Sequence, residues 1–87
     1  MQKHTRIYMK YYDYGEQDFI PCEACGREAV DIHHIDNDRK NNDIKNLIGL
    51  CRKCHSRAHG GLHFISKEQF QYIHNNFMLG HRKIFLK

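Results

Sequence analysis

At 87 residues, 40% hydrophobic and carrying a formal charge of +4, the chain suits one small domain, residues 1–87, and leaves little room for a second. No apolar run approaches the ~18 residues of a membrane span, and MQKHTRIYMKYY is too polar and aromatic for a signal-peptide core, so a cytoplasmic setting without membrane contact is expected. A domain this small buries only roughly 60% of the surface its unfolded chain exposes, so a metal or disulfides commonly supply the missing stability.

In chain order, Arg6 to Tyr14 (RIYMKYYDY) places Ile7, Tyr11 and Tyr14 at helical spacing. Tyrosines suit a strand equally, and periodicity leaves this segment open between the two. Tyr8, Tyr11, Tyr12 and Tyr14 are expected to pack, because so short a chain has few other large residues to bury. Pro21 leads into Cys22-Glu23-Ala24-Cys25-Gly26, where Gly26 supplies the positive φ that a tight metal-binding turn needs. Ala29 to Ile35 reads as a strand, Asp36 to Asn46 (DNDRKNNDIKN) as a polar loop, and Leu47 to Leu50 as a second short strand. Cys51 to His59 has no breaker until Gly60-Gly61, which predicts a helix stopped by glycine. Ser66-Lys67-Glu68-Gln69 forms a capping box for a C-terminal helix over about 66–79, with Phe70, Ile73 and Phe77 on its packing face. Gly80 is expected to end that helix and leave a basic tail, His81 to Lys87.

The doubled Cys-x-x-Cys spacing, Cys22/Cys25 and Cys51/Cys54, can present four thiolates tetrahedrally to one Zn²⁺. Such a site is closed and therefore structural; disulfides or a redox pair are the weaker rivals in a reducing compartment. His33, His34, His55 and His59 are then left over. His55 and His59 stand at i and i+4, about 6 Å apart at Cβ on one helix face, a spacing that suits two ligands of one metal ion. Neighbouring strand residues point to opposite faces, so for His33 and His34 to serve one site the strand must bulge or end there. Both rings must approach the face carrying His55. His4, His63, His74 and His81 lack such an arrangement and read as surface or hydrogen-bonded residues.

Taken jointly, CEAC, IHHI, NLIGL and CRKCH, spanning about Pro21 to His59, resemble the HNH nuclease family. The resemblance implies a small α+β fold: a ββα-metal (His-Me finger) core at 21–60, stapled by the four-cysteine zinc site, with the C-terminal helix added. It implies His33 and His55 as ligands of a catalytic divalent metal, His34 as general base and Asn46 as the residue that orients the polar loop. His59 stays open as a third ligand, a phosphate contact or a bystander. The implied reaction is metal-dependent hydrolysis of DNA phosphodiester bonds. A neutral imidazole, with its unperturbed pKa of ~6.5, would take the proton of the attacking water, and Mg²⁺, Mn²⁺, Ni²⁺ or Zn²⁺ would stabilise the phosphate and leaving oxygen.

Double-stranded DNA is the expected partner, with Arg52, Lys53 and Arg57 on backbone phosphates. The protein would be a monomer or homodimer from a bacterium or phage-infected host. Asp36 reads as an exposed turn acid, whereas Asp31 could equally support a histidine ring. The rival reading is a catalytically inactive, zinc-stapled module that binds nucleic acid or protein. Against it stands the cost of burying unpaired imidazoles that do no work.

Overall fold

A computed structural model of the chain describes residues 2–15 and 18–85, with side chains as far as residue 80. The segment that periodicity left open is a helix, α1 (Lys3–Tyr11). Burial settles the choice: Tyr8 and Tyr12, at i and i+4, are 0% and 2% exposed, so one helical face carries both rings into the interior. Tyr14 is half-buried against the same cluster and Tyr11 is exposed, so three of the four tyrosines pack.

Strand β1 (Asp31–His34) pairs antiparallel with β2 (Leu47–Leu50). The polar loop between them closes through a short 3₁₀ turn at Ile44–Asn46. Helix α2 (Arg52–Arg57) follows, with the Cys51 thiol accepting from the Cys54 N–H as its cap, and Gly60 and Gly61 stand beyond its end at φ of +129° and +96°. Helix α3 (Lys67–Phe85) opens on the expected capping box: the Ser66 hydroxyl accepts from the Gln69 N–H, and the Gln69 side chain accepts from the Ser66 N–H. One expectation fails here. Gly80 does not end α3, because it lacks the positive φ that makes glycine a helix stop. The expected basic tail therefore begins as helix, and its side chains from residue 81 onward lie outside the described residues.

The register pairs Asp31 with Leu50, Ile32 with Gly49, His33 with Ile48 and His34 with Leu47. Paired residues share a face of the ribbon. Ile48 and Leu50 join a core of Cys22, Cys51, Cys54, Ile35 and Phe70. Leu47 joins Tyr8 and Tyr12 on the other side, with Ile32, Ile44, Phe77 and Met78 packed around them. Phe70, Ile73 and Phe77 of α3 thus pack as expected, bridging both clusters.

Glu23, inside the first cysteine turn, ties these layers together. Its Oε2 accepts from the Tyr8 hydroxyl at 2.6 Å and the Gly49 N–H at 3.1 Å, while its Oε1 lies 2.7 Å from His74 Nδ1. His74 donates from Nε2 to the Ile44 carbonyl. The side chains of Glu23 and His74 are both fully buried, so every polar edge needs a partner, and each has one.

Gly49 is required by closeness: a Cβ there would stand 2.9 Å from the Tyr8 hydroxyl and 3.3 Å from its ring carbon. Gly49→Ala is expected to destabilise the zinc-loaded protein by about 1–3 kcal/mol through displacement of Tyr8. Equilibrium denaturation would check this, and an unchanged midpoint would contradict the packing described.

Candidate functional site: a metal-staple cluster and a histidine cleft

The two cysteine turns meet as expected. All four Sγ atoms lie within 4.8 Å of one another, with Cys25 and Cys51 at 3.6 Å. Four sulfurs at ~2.3 Å from one Zn²⁺ stand roughly 3.8 Å apart, so the cluster fits a structural metal such as zinc. The four cysteines are free thiols, which sets the disulfide reading aside. Burial raises the Cys22 and Cys54 thiols, whereas burial at Cys51 is outweighed by the Cys54 N–H and neighbouring thiols, which hold it down at about 7. A dication lifts that conflict by favouring every thiolate at once. Gly26 takes the positive φ expected of it, +83°. Arg27, Lys53 and Arg57 line a small cavity beside Cys25, Cys51 and Cys54, where they face the negative charge that four thiolates leave on a dication.

The second site is a cleft of about 740 Å³ across the end of β1. His33, His34, His55 and His59 all line it, as does His4 from α1. His33 shares its face with Ile48 and so meets α2: its ring centroid is 5.0 Å from His55 and 6.0 Å from His59, and those two are 5.1 Å apart. Burial, then repulsion from His55, His59 and His34, lowers the His33 pKa to about 4, which keeps its ring neutral and its lone pair available near neutral pH. Asp31, two residues earlier on the same face, places Oδ2 3.1 Å from His55 Nδ1. Of its two expected roles it takes the supporting one, orienting the ring so that Nε2 is left for a ligand.

His34 shares its face with Leu47, and β1 ends there without a bulge. The end of the strand at His34, one of the two expected solutions, lets its ring reach the cleft that His33 and His55 also line, entering from the α1 side. His34 Nε2 donates to Asn42 Oδ1 at 2.9 Å, so Asn42 favours the tautomer that carries its proton on Nε2. The His4 ring lies 4.6 Å away.

Asn46, 6% exposed, organises the loop. Its Oδ1 accepts from the Asp36 N–H, and its Nδ2 donates to Asp36 Oδ1 and the Asn41 carbonyl. Asp36 also accepts from the Asp38 N–H and the Asn41 amide, and these bonds, Asn41 first, lower its pKa. It is an exposed turn acid, as expected, and one that braces the loop. Lys3 and Arg39 are the cations that line the cleft; Arg52, Lys53 and Arg57 do not. Asn42 went unmarked in the sequence and His4 was read there as a surface or hydrogen-bonded residue, because neither falls in a spaced motif; both belong to the cleft's surroundings.

With two antiparallel strands, a following helix and a four-cysteine staple, the segment is a ββα-metal finger. The HNH endonuclease family model matches residues 22–61, somewhat under half of the chain. No curated protein and no solved structure matches the chain significantly. Among the described residues no helix is long and apolar enough to cross a membrane.

The purified protein is expected to carry one Zn²⁺ per chain, measured by elemental analysis. Structural zinc contributes on the order of 10 kcal/mol in small zinc-bound folds, so chelation should abolish cooperative thermal unfolding; a cooperative transition that persists in chelator would contradict the structural role.

Proposed function

We propose that the protein is a metal-dependent HNH endonuclease that hydrolyses phosphodiester bonds of double-stranded DNA, and that the cleft across β1 is its active site. The observation that carries this reading is the placement of His34: its Nε2 is held by Asn42 Oδ1 at 2.9 Å, and its ring lines the same cleft as His33, His55 and His59. A base needs one unprotonated nitrogen held in a fixed direction near the water it activates.

The donor set suits a second metal. Three imidazoles on one ion, at about 2.1 Å from it, hold their ring centroids roughly 4.5–5.5 Å apart. The pairs His33–His55 and His55–His59 fall in that range, at 5.0 and 5.1 Å, and His33–His59 is wider at 6.0 Å. Among the described residues, only the cysteines bring three or more candidate ligand atoms within 4.8 Å of one another. His33 and His55 are therefore proposed as the principal ligands, with His59 completing the set. A divalent ion there, Mg²⁺, Mn²⁺, Ni²⁺ or Zn²⁺, would supply Lewis-acid stabilisation of the scissile phosphate and the leaving oxygen.

The chain's own residues do the rest. His34 Nδ1 accepts the proton of the attacking water, while Asn42 holds the ring in the productive tautomer. Asn46 keeps the loop that carries Asn42 folded, and Asp31 orients His55. Lys3 and Arg39 meet phosphate oxygens inside the cleft; Arg52, Lys53 and Arg57 contact backbone phosphates farther along the duplex.

Plasmid nicking by the zinc-loaded protein across a divalent-metal panel tests this reading. His34→Ala is expected to lower the rate about 10²–10⁴-fold, and Asn42→Ala roughly 10–100-fold through loss of ring orientation. A His34→Ala protein that nicks as well as wild type would remove the base assignment. Zinc-loaded wild type that cleaves no DNA form with any metal would instead favour the inactive binding module.

A further inference from the structure

The cleft holds one imidazole that the HNH segment does not supply. His4 sits in the first turn of α1, outside residues 22–61, and its placement follows from how that helix packs. Tyr8 and Tyr12 lie four and eight residues farther on and are buried on the inward face of α1, so the same face carries His4 over the end of β1. Tyr8 fixes the axial position of the helix through its hydroxyl bond to Glu23. The tyrosine stripe that stabilises the fold thus delivers His4 to the site.

There, His4 lies over the strand it covers. Its ring stands beside the Ile32 backbone, two residues before His34, and lines the same cleft. Its centroid lies 4.6 Å from that of His34, with the planes inclined at 52°. The two partners of His34 restrain different motions. Asn42 holds the Nε2 edge, which sets the tautomer and the rotation about the ring axis, whereas His4 packs against the ring and blocks rotation of the side chain away from the cleft.

We propose that His4 is a positioning residue for His34, so that α1 completes the catalytic apparatus of the HNH segment by clamping the ring of its general base. This rests on the nuclease reading of the same cleft. The clamp acts on orientation and not on proton transfer; it raises the fraction of time that the His34 ring is aimed at the attacking water. Its loss therefore acts on the chemical step, with DNA binding left in place.

The test compares zinc-loaded wild type, His4→Ala and His4→Phe, the last of which restores a ring without its nitrogens. In single-turnover plasmid nicking with saturating Mn²⁺, His4→Ala is expected to lower the rate at saturating DNA about tenfold, with half-saturation shifted less than about twofold. His4→Phe is expected to recover most of that loss. A His4→Ala rate within twofold of wild type would overturn the proposal, as would a defect confined to DNA affinity or a His4→Phe protein as slow as His4→Ala.

A readout independent of cleavage comes from long-range ¹H–¹⁵N spectra and relaxation dispersion of the histidine rings. The clamp predicts exchange broadening of the His34 ring in His4→Ala that wild type and His4→Phe lack. An unbroadened His34 ring in His4→Ala overturns the clamp, even where wild type cuts no DNA. A wild type that cuts nothing, together with the predicted broadening in His4→Ala alone, overturns the nuclease reading and leaves the clamp standing.

Discussion

The pairing of β1 with β2 is the constraint on which the site depends. With Asp31 opposite Leu50 and His34 opposite Leu47, strand alternation sends Asp31 and His33 toward α2 and sends Ile32 and His34 toward α1. A slip of one residue would exchange the two faces and put His34 among the α2 histidines. Burial on both sides prevents that slip. Ile48 and Leu50 are committed to the cysteine core, and Leu47 is committed to the tyrosines, all three fully buried. The apolar residues of β2 thus dictate which histidine of β1 meets which helix.

Two devices hold the ribbon against its helices. The cysteine cluster ties the turn before β1 to the cap of α2, which sets His55 and His59 opposite His33. The Glu23 and His74 pair ties the same turn to α3, and the Tyr8 hydroxyl extends that bond to α1. Burying such a pair is costly unless every remaining polar edge is satisfied. The Gly49 N–H and the Ile44 carbonyl complete it. Ile44 also opens the 3₁₀ turn that contains Asn46, so the buried pair braces the loop that presents Asn42 to His34. In this fold the stability of the core and the aim of the site rest on the same bonds.

Features encoded locally were legible in the sequence. The doubled Cys-x-x-Cys spacing, the Ser66 to Gln69 box and the strand Leu47–Leu50 each carry their signal within a few residues, and each is present in the structure. The limits of α1 were not legible, because tyrosines fit a helix or a strand until burial of Tyr8 and Tyr12 decides between them. Gly80 misled because glycine stops a helix only where the backbone turns left-handed, and that conformation is absent there. Within the cleft, His33, His34, His55 and His59 stood out by spacing. Asn42, His4 and the pairing of Glu23 with His74 did not, since each acts through a partner 8 to 51 residues away or, for His4, through a helix whose placement depends on tertiary packing. The two histidines divide between faces as strand alternation expects, and the strand ends at His34 so that both line one cleft.

In the proposed reading, His33 binds the catalytic metal and His34 does not, although the two are adjacent in sequence. Calorimetric titration of Ni²⁺ into zinc-loaded protein tests that division most directly. The account predicts one further metal equivalent bound by wild type and by His34→Ala, and none by His33→Ala. Loss of binding in His34→Ala as complete as in His33→Ala, or no further equivalent in wild type, would contradict it.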